Sequence, residues 1–582
     1  MGPVFHSPGM PAAYRHSDAH NRRVTDQQNI TVDFLVVGSG TGMASALTAH
    51  ELGLSTLIVE KTAYVGGSTA RSGGAFWMPA NPILREAGST DTLDAGRTYL
   101  DSVVGSTAPS DRAHAFVEHG AATVEMLRRT TPMKFQWAKG YSDYHPEKPG
   151  GSAVGRTCEC RPFNTAVLGP ELTRLRPGVM KSSFPMPVTG ADYRWLNLVA
   201  RAPRKALPRI MLRAFQGIGG LALRRRYAAG GQALAAGMFA GVLRAGIPVW
   251  TESPVTELII DGDRVTGAVV SREGTEVRIN ARRGVVLAAG GFDHLMAWRH
   301  KFQSERLGEH ASLGAEGNTG DAIRLAQDTC RAGTGLMDQA WWFPAFAPLP
   351  GGEPTVMLAE RSLPGCLLVD QSGRRFVNEA IDYMSFGQKV HEREQAGDPI
   401  DVMWMIFDQR YRNSYLLAAE LFPRMPIPKA WYDAGIAHRA ENLSALARAI
   451  DVDPTALGAT MDRFNMQAGT GVDGDFGRGA SAYDRYYGDP TIAPNPNLRP
   501  LDDGPYYAVK VVLSDLGTCG GLRADTRGRV LREDGSVIEG LYAIGNTAAN
   551  SFGASYPGAG ATIGQGLVYG YIAARHAAGL LA

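Results

Sequence analysis

The first apolar run, at 32–37 (Val-Asp-Phe-Leu-Val-Val), is short and stops at Gly38, the pattern of a buried strand. Residues 43–53 then follow a helical period, and 55–60 (Ser-Thr-Leu-Ile-Val-Glu) reads as a second strand. These three predict a βαβ unit with a glycine turn. Residues 109–130 predict another helix. Between 254 and 280 apolar and polar residues alternate. Turn residues at Asp261-Gly262-Asp263 and Glu273-Gly274 divide them, which predicts antiparallel strands. A further buried strand is expected over 284–291, and Gly317 to Asp321 precedes a helix. From about residue 337 to 505 the elements become shorter and more mixed, with more Pro and Trp. A strand at 540–545 and a helix from about 561 return to the earlier style. The expected organisation is an α/β domain of 31–336 and 506–582, interrupted by an inserted α+β domain at 337–505. Residues 1–30, rich in Pro, Ser, His and Asn and lacking periodicity, are read as a mobile tail without the apolar core of a signal peptide.

Composition narrows the picture little. With 582 residues the chain exceeds one ordinary core. Its 44% hydrophobic and 20% charged residues fit a soluble globular protein, and a net charge of +2 points to no partner. No run reaches the roughly 18 apolar residues of a membrane span. The five cysteines (158, 160, 330, 366 and 519) include no CxxC, so a disulfide framework is not expected and a reducing compartment, the cytoplasm, is. Cys158-Glu159-Cys160 has no matching second pair, and no metal site is expected. The 70 glycines do change the picture. They cluster at the ends of apolar runs, where backbone can approach a ligand closely.

The first cluster, Gly38-Ser39-Gly40-Thr41-Gly42, opens the first helix. Helix N-termini offer free N–H groups and a positive dipole end to a pyrophosphate. Glu60 closes the second strand, about 20 residues on, where an acid accepts from a ribose hydroxyl. The spacing departs from GxGxxG, because Met43 stands in the third glycine's register. A second cluster at 66–74, Gly290-Gly291 and Gly545-Asn546 favour FAD over a nicotinamide, since ribityl and isoalloxazine need backbone contacts of their own. The expected architecture is therefore a Rossmann-like FAD-binding domain with an inserted catalytic domain.

The segments Glu60-Lys-Thr-Ala-Tyr-Val-Gly-Gly67-Ser-Thr-Ala-Arg-Ser-Gly73-Gly74, Arg375-Phe-Val-Asn-Glu379 and Leu541-Tyr-Ala-Ile-Gly-Asn546 resemble the FAD-dependent fumarate reductase and 3-ketosteroid dehydrogenase superfamily. The resemblance covers nearly the whole chain from residue 31 onward, and its main departure is the shortened glycine turn at Gly38–Gly42. It implies that Gly38, Ser39, Gly40, Gly42, Met43, Glu60 and Lys61 hold the nucleotide side of FAD. It assigns the rest of the cofactor to Gly67, Ser68, Thr69, Ser72, Gly73, Gly74, Ala289, Gly290, Gly545, Asn546, Gly560, Ala561, Thr562 and Ile563.

Four residues after Glu379, fumarate reductases carry an arginine as proton donor, whereas this chain has Tyr383. A phenol does not grip a carboxylate as a guanidinium does. Its ordinary pKa near 10 suits a weakly acidic carbon. That resembles the 3-ketosteroid Δ1-dehydrogenase branch. Tyr144 within Tyr141-Ser-Asp-Tyr144-His145, and Tyr556-Pro-Gly-Ala-Gly560, resemble that branch's assisting tyrosine and its ketone-holding pair. Ser514-Asp-Leu-Gly-Thr518 and Asp338-Gln-Ala-Trp341 are also similar to it. The resemblance implies the following chemistry. Tyr556 and the Gly560 N–H hold the C3 carbonyl oxygen. Tyr383, as a partly activated phenolate, takes the C2 proton with Tyr144 beside it, and the C1 hydride goes to the flavin. Tyr141 competes with Tyr144 for the assisting role, and His145 is read as structural. The positive end of the helix from about 561 would face the flavin. Two rival enzymes remain, a Δ4-(5α) steroid dehydrogenase and a reductase of small unsaturated acids. So does a non-catalytic, membrane-associated flavin-binding protein. The expected partners are a 3-oxosteroid or sterol ketone and, because no CxxCH haem motif is present, an external quinone-like electron acceptor.

Within a 160–226 insert, residues 194–226 hold nine basic residues and no acidic one, with apolar residues between them. A basic amphipathic segment suits a membrane surface, here the inner face of the cell membrane. A solvated basic face or an oligomer contact is the alternative. The stacking pattern of nucleic-acid binding is absent.

Overall fold

The computed structural model describes residues 28–179, 185–308 and 311–581. The expected tail lies outside these residues up to position 27. The chain runs through β1 (Gln28–Val37), α1 (Gly42–Glu51), β2 (Thr56–Val59), α2 (Ser110–Thr130), α3 (Gly190–Asn197) and α4 (Pro203–Ala214). Next come β3 (Val249–Trp250), β4 (Val255–Asp261), β5 (Arg264–Arg272) and β6 (Thr275–Leu287). A second set follows: β7 (Ala340–Phe346), β8 (Thr355–Val356), β9 (Cys366–Val369), α5 (Tyr383–Gln395), β10 (Met403–Asp408), β11 (Ala437–Ala440) and β12 (Tyr506–Thr518). Then come β13 (Arg529–Leu531), β14 (Val537–Ala543) and α6 (Ala561–Ala577).

The first sheet has eight strands in the order β13-β14-β5-β6-β1-β2-β3, with β4 beside β5. β1 pairs in parallel with β2 and β6, and β14 pairs in parallel with β6. Phe34, Leu35 and Val36 are wholly buried, as the apolar run requires of a strand covered on both faces. β1 begins at Gln28, before the apolar run, because residues 28–30 add backbone pairing to 277–279 that needs no apolar side chain. Residues 28–30 therefore belong to the sheet and not to a tail. The strand expected over 284–291 is the end of β6, continued from 275.

The second sheet has six strands, β8-β7-β12-β10-β9 with β11 beside β12. Its central strand is β12, which was expected to belong to the first domain. Residues 506–511 of β12 pair with 403–408 of β10, so the return to the first sheet starts at β13 and not at 506.

Two close approaches set the position of what lies between the sheets. α6 crosses α1 at short range, since a Cβ on Gly566 would stand 2.5 Å from the Thr41 hydroxyl and one on Gly570 3.2 Å from the Ser45 nitrogen. α5 lies on β7, where a Cβ on Gly387 would stand 2.2 Å from the Trp342 Cβ. α6 is thereby fixed to α1 and α5 to the second sheet. Cys158 and Cys160 sit on a buried strand (Thr157–Cys160), and each of the five cysteines is a free, buried thiol.

Candidate active site

A cleft opens beyond the carboxyl ends of β1, β2 and β6, where parallel α/β sheets bind ligands. It is lined at one end by Gly38, Ser39, Gly40, Glu60 and Lys61, and along its length by Gly67, Ser68, Thr69, Ser72, Ala289 and Gly290. At the other end stand Gly545, Asn546, Thr562 and Ile563. α1 starts at the cleft with no side chain capping its first turn, where the Met43 and Ala44 N–H groups donate to the Gly40 and Thr41 carbonyls, so the positive helix end rather than a row of free N–H groups faces an anion. Glu60 is nearly buried. Its carboxylate accepts from the Ser39 hydroxyl (2.6 Å) and from the Thr62 hydroxyl (2.9 Å), which fixes the acid at the cleft floor. The Lys61 ammonium pairs with Asp321 and donates to Thr319 (2.7 Å).

The shortened glycine turn has a physical resolution. A Cβ on Gly40 would meet nothing nearer than 3.4 Å, so this glycine leaves its backbone open to the cleft. A Cβ on Gly42 would stand 2.9 Å from Val36, so Gly42 packs helix on strand, the role of a third glycine, and does not line the cleft. Met43 is a wholly buried core residue. A Cβ on Gly74 would stand 2.1 Å from the Gly230 backbone, Gly73 is exposed and Ala561 is packed in the core. These residues, and Gly560, do not line the cleft. Thr41, Thr62, Arg176, Ser253, Ala315 and Asn318 do, without having been expected. Arg176 carried no local signal, standing two residues after Arg174 and far along the chain from the glycine clusters. Its Nη2 donates to Thr62 (2.7 Å), and its buried Nε has no partner. The lining suits FAD: an uncapped helix and glycine backbone for the pyrophosphate, an acid at the end of β2 for the ribose, and hydroxyl and amide groups beyond.

Tyr144, Tyr383 and Tyr556 meet beyond the Asn546 end. Their ring centroids lie 5.2 Å (144–383), 5.1 Å (144–556) and 5.6 Å (383–556) apart, all edge to face. Each comes from a different part of the chain. Tyr144 is placed by its backbone N–H donating to the Pro557 carbonyl (3.0 Å), to which the Tyr99 hydroxyl also donates (2.7 Å). Tyr383 is the first residue of α5, whose cap is the Asp382 carboxylate accepting from the Ser385 N–H. Tyr556 lies under the Trp341 ring at 4.7 Å. The Trp341 Nε1 donates to the Asn546 Oδ1 (3.0 Å), and so does the Thr562 hydroxyl (3.2 Å). One asparagine thus ties the cleft lining to the tyrosine cluster. Tyr141, the competitor of Tyr144, stacks instead on Tyr486 at 4.4 Å. Sequence reasoning missed Tyr483, whose ring lies 4.8 Å from Tyr144.

Gly560 caps α6 in the left-handed region (φ 91°), and a Cβ there would stand 2.3 Å from the Ala75 carbonyl. Its N–H donates to the Tyr556 hydroxyl at 3.4 Å. A phenol and a backbone N–H this close can both serve one ligand oxygen. Burial, and then the charge that Tyr556 would carry, push the Tyr383 phenol well above its ordinary range. Burial does the same for Tyr144 and Tyr556. Burial thus works against the partly activated phenolate expected from sequence. The Tyr144 hydroxyl beside it acts in the opposite direction.

The loop before Tyr383 is held by buried ions. Arg375 donates to both Glu379 oxygens (2.7 Å) and to Asp473 (2.8 Å). Arg478 reaches Glu379 at 3.2 Å, and Arg361 donates to the Glu379 and Ile381 carbonyls. Burial opposes the Glu379 charge, but Arg375 and Arg478 outweigh it and hold this carboxyl below its ordinary range. Glu379 is accordingly a positioning group four residues from Tyr383.

Residues 33–563 match the family model described as FAD binding domain. The chain is 43% identical over 557 residues to the 3-oxosteroid 1-dehydrogenase of Mycobacterium tuberculosis (strain ATCC 25618 / H37Rv), covering 94% of this chain and 98% of that protein. It is 34% identical over 574 residues to the 4-oxocyclohex-2-ene-1-carboxylate 5-dehydrogenase of Sinomonas cyclohexanicum, covering 96% and 95%. The crystal structure of 3-ketosteroid Δ1-dehydrogenase from Sterolibacterium denitrificans, in complex with 1,4-androstadiene-3,17-dione, superposes with a TM-score of 0.87 at 37% identity, over 94% of this chain and 99% of that one. With its dinucleotide cleft and full-length likeness to these enzymes, the chain belongs to the FAD-dependent 3-oxosteroid 1-dehydrogenase family.

Proposed function

We infer that the protein catalyses the 1,2-dehydrogenation of 3-oxo-4-ene steroids. The observation that carries this reading is the meeting of Tyr144, Tyr383 and Tyr556 beside Gly560 at the end of the cleft. The cleft residues from Gly38 to Ile563 would hold FAD, which when bound supplies an acceptor for the hydride that leaves C1. The Tyr556 hydroxyl and the Gly560 N–H donate to the C3 carbonyl oxygen and stabilise the charge that develops there. That withdrawal acidifies the C2 proton, which Tyr383 accepts as the C1–C2 double bond forms. Tyr144 packs on both other rings and sets their spacing. Its hydroxyl, buried without a partner, is free to donate to the Tyr383 oxygen as negative charge grows there. Reoxidation falls to an external quinone-like acceptor. Substrates of this class partition into membranes, where a basic amphipathic segment at 194–226 would bring the enzyme.

The test is anaerobic mixing of the FAD-loaded protein with a 3-oxo-4-ene steroid. Loss of the flavin absorbance band with a Δ1 product is the expected result. A Δ4 product from a 5α-steroid, without Δ1 product, would replace the reading with its nearest rival. An unchanged spectrum would leave a binding protein. A small cyclohexenone carboxylate serves as the comparison ketone, because relatives acting on such rings share this fold and length. Faster bleaching by it than by the steroid would overturn the steroid assignment and keep the chemistry.

A further inference from the structure

Behind the tyrosine cluster lies a buried ion network to which the chemistry above gives no part. Asp143 directly precedes Tyr144, and Arg156 directly precedes Thr157. Both Asp143 and Arg156 are buried, and their side chains form an ion pair. A second carboxylate shares the same guanidinium. The Arg156 Nε donates to both Asp91 oxygens (3.0 Å) and its Nη2 to one of them (2.8 Å). Asp143 accepts twice more, from the Trp77 indole N–H at 2.7 Å and from the Ser152 N–H at 3.0 Å. Two carboxylates around one guanidinium leave a surplus negative charge in the core. Burial, which Arg156 opposes, pushes the Asp143 carboxyl up to about 6. The fold therefore holds this charge against a desolvation penalty that an apolar pair of the same shape would not meet.

The network ends on the carbonyl-holding turn. Trp77 and Thr157 are cross-strand partners on the short strands Ala75–Trp77 and Thr157–Cys160. These strands are the floor under residues 556–560. The Thr157 hydroxyl donates to the Ala559 carbonyl (3.1 Å). A Cβ on Gly558 would stand 2.3 Å from the Trp77 ring, and Gly560 abuts Ala75 of the same strand. The Asp143–Arg156 pair thus joins the residue before Tyr144 to the residue before Thr157, and Trp77 closes the triangle. The direct backbone link between Tyr144 and the turn is the Pro557 carbonyl, which accepts the Tyr144 N–H. One hydrogen bond leaves an angle free. A second, separated tie through buried charge fixes angle and distance together.

We propose that Asp143, acting through Arg156 and Trp77, is a positioning residue for the dehydrogenation: it sets the spacing between Tyr144 and the Tyr556–Gly560 turn, and with it the rate of the chemical step. Asp91, Asp143, Arg156 and Trp77 do not line the cofactor cleft, so the network acts on the tyrosine geometry and not on FAD. The proposal rests on the roles given above to Tyr144, Tyr556 and Gly560.

The experiment is Asp143→Asn in the FAD-loaded full chain. The substitution keeps the shape and leaves Arg156 neutralised by Asp91. The amide nitrogen then faces a donor, either Trp77 or the Arg156 and Ser152 pair, so one tie is lost. Thr157→Val removes only the donor to Ala559 and tests the same connection from its other end. Single-turnover flavin bleaching by a 3-oxo-4-ene steroid is followed across steroid concentrations. In both variants the limiting rate should fall about 10- to 100-fold, with FAD content and half-saturation within about twofold of wild type. Asp143→Asn combined with Tyr144→Phe should be little slower than the slower single variant, because both act on one geometry. If Asp143→Asn loses FAD, Thr157→Val, alone and combined with Tyr144→Phe, decides. A wild type that the steroid does not bleach would overturn the functional reading and the proposal with it. A bleached wild type with both variants within about twofold of its rate would overturn the proposal alone. So would losses that multiply with Tyr144→Phe, or that fall equally on rate and half-saturation; either would make the network a structural support of the fold.

Discussion

Removing one oxygen atom tests the base assignment. In Tyr383→Phe the ring keeps its edge contacts with Tyr144 and Tyr556 and its approach to Phe343 at 6.5 Å. The void left is one hydroxyl wide, so the cost to the fold is about 1 kcal/mol. FAD content should not change, because Tyr383 is not among the cleft-lining residues. Steroid affinity should change little, because Tyr556 and Gly560, and not Tyr383, are the proposed holders of the carbonyl oxygen. The chemical step should lose the contribution of a placed base, about 10²- to 10⁴-fold, or roughly 3–5.5 kcal/mol at about 1.4 kcal/mol per tenfold. The assay is the single-turnover rate of flavin bleaching on anaerobic mixing, followed at steroid concentrations that saturate wild type. Tyr144→Phe is the internal comparison and should lose less, since Tyr144 acts through Tyr383. Bleaching in Tyr383→Phe within a few-fold of wild type would refute the reasoning and make Tyr144 the next candidate. A variant with slow bleaching and lost FAD would show a structural role instead.

Gly560→Ala forces a side chain into the left-handed region and into the Ala75 carbonyl, so kcat should fall by at least about 10²-fold through displacement of the N–H donor; single-turnover kinetics measure it. Glu379→Gln leaves two buried guanidinium groups short of charge and should cost about 3–5 kcal/mol, read from the denaturant midpoint at constant m-value, with kcat reduced because the loop before Tyr383 loosens. The base form of Tyr383 lies above its ordinary pKa of about 10, so kcat/KM should climb up to tenfold per pH unit from neutral into the alkaline range; a flat profile would contradict a phenolate base. Stability should move the other way. Tyr144, Tyr383 and Tyr483 have folded pKa values raised above their unfolded ones, so above about pH 10 the unfolded chain sheds protons that the fold retains. Stability falls there by up to about 1.4 kcal/mol per pH unit per tyrosine, and urea midpoints between pH 8 and about 11 would record it.

What was legible in the sequence was what is local. The βαβ unit, Glu60 and the glycine clusters each depend on a few adjacent residues, and each lines the cleft as a segment. Met43 and Gly42 prove to be packed and not cleft-lining, because a glycine that packs a helix on a strand and one that opens to a ligand look alike until the neighbouring Val36 side chain is placed. Tyr483 and Arg176 were missed because nothing near them in the chain distinguishes them. They reach their sites through the packing of the second sheet and of the segment after the glycine clusters.

The boundary at 505/506 failed for a more instructive reason. β12 runs for 13 residues, pairs with β10 and β11 at its start and with β7 through to Thr518, and belongs to neither domain alone. Its far end carries Leu516, which lines the cofactor cleft, and Asp515, which holds the buried Arg299 at 2.7 Å. The Thr518 hydroxyl accepts from the Phe292 N–H, just beyond the end of β6. A strand whose first half builds the catalytic sheet and whose last residues grip the flavin domain has no domain boundary for composition to mark. The same continuity sets the chemistry. β7 pairs with β12, supports α5 through Gly387 and carries Trp341, so Tyr383 and the Tyr556 support are referenced to one strand pair that also reaches the cleft. The base, the carbonyl donors and the cofactor lining are thus fixed to shared backbone, and reaction geometry does not depend on how two separate domains happen to close.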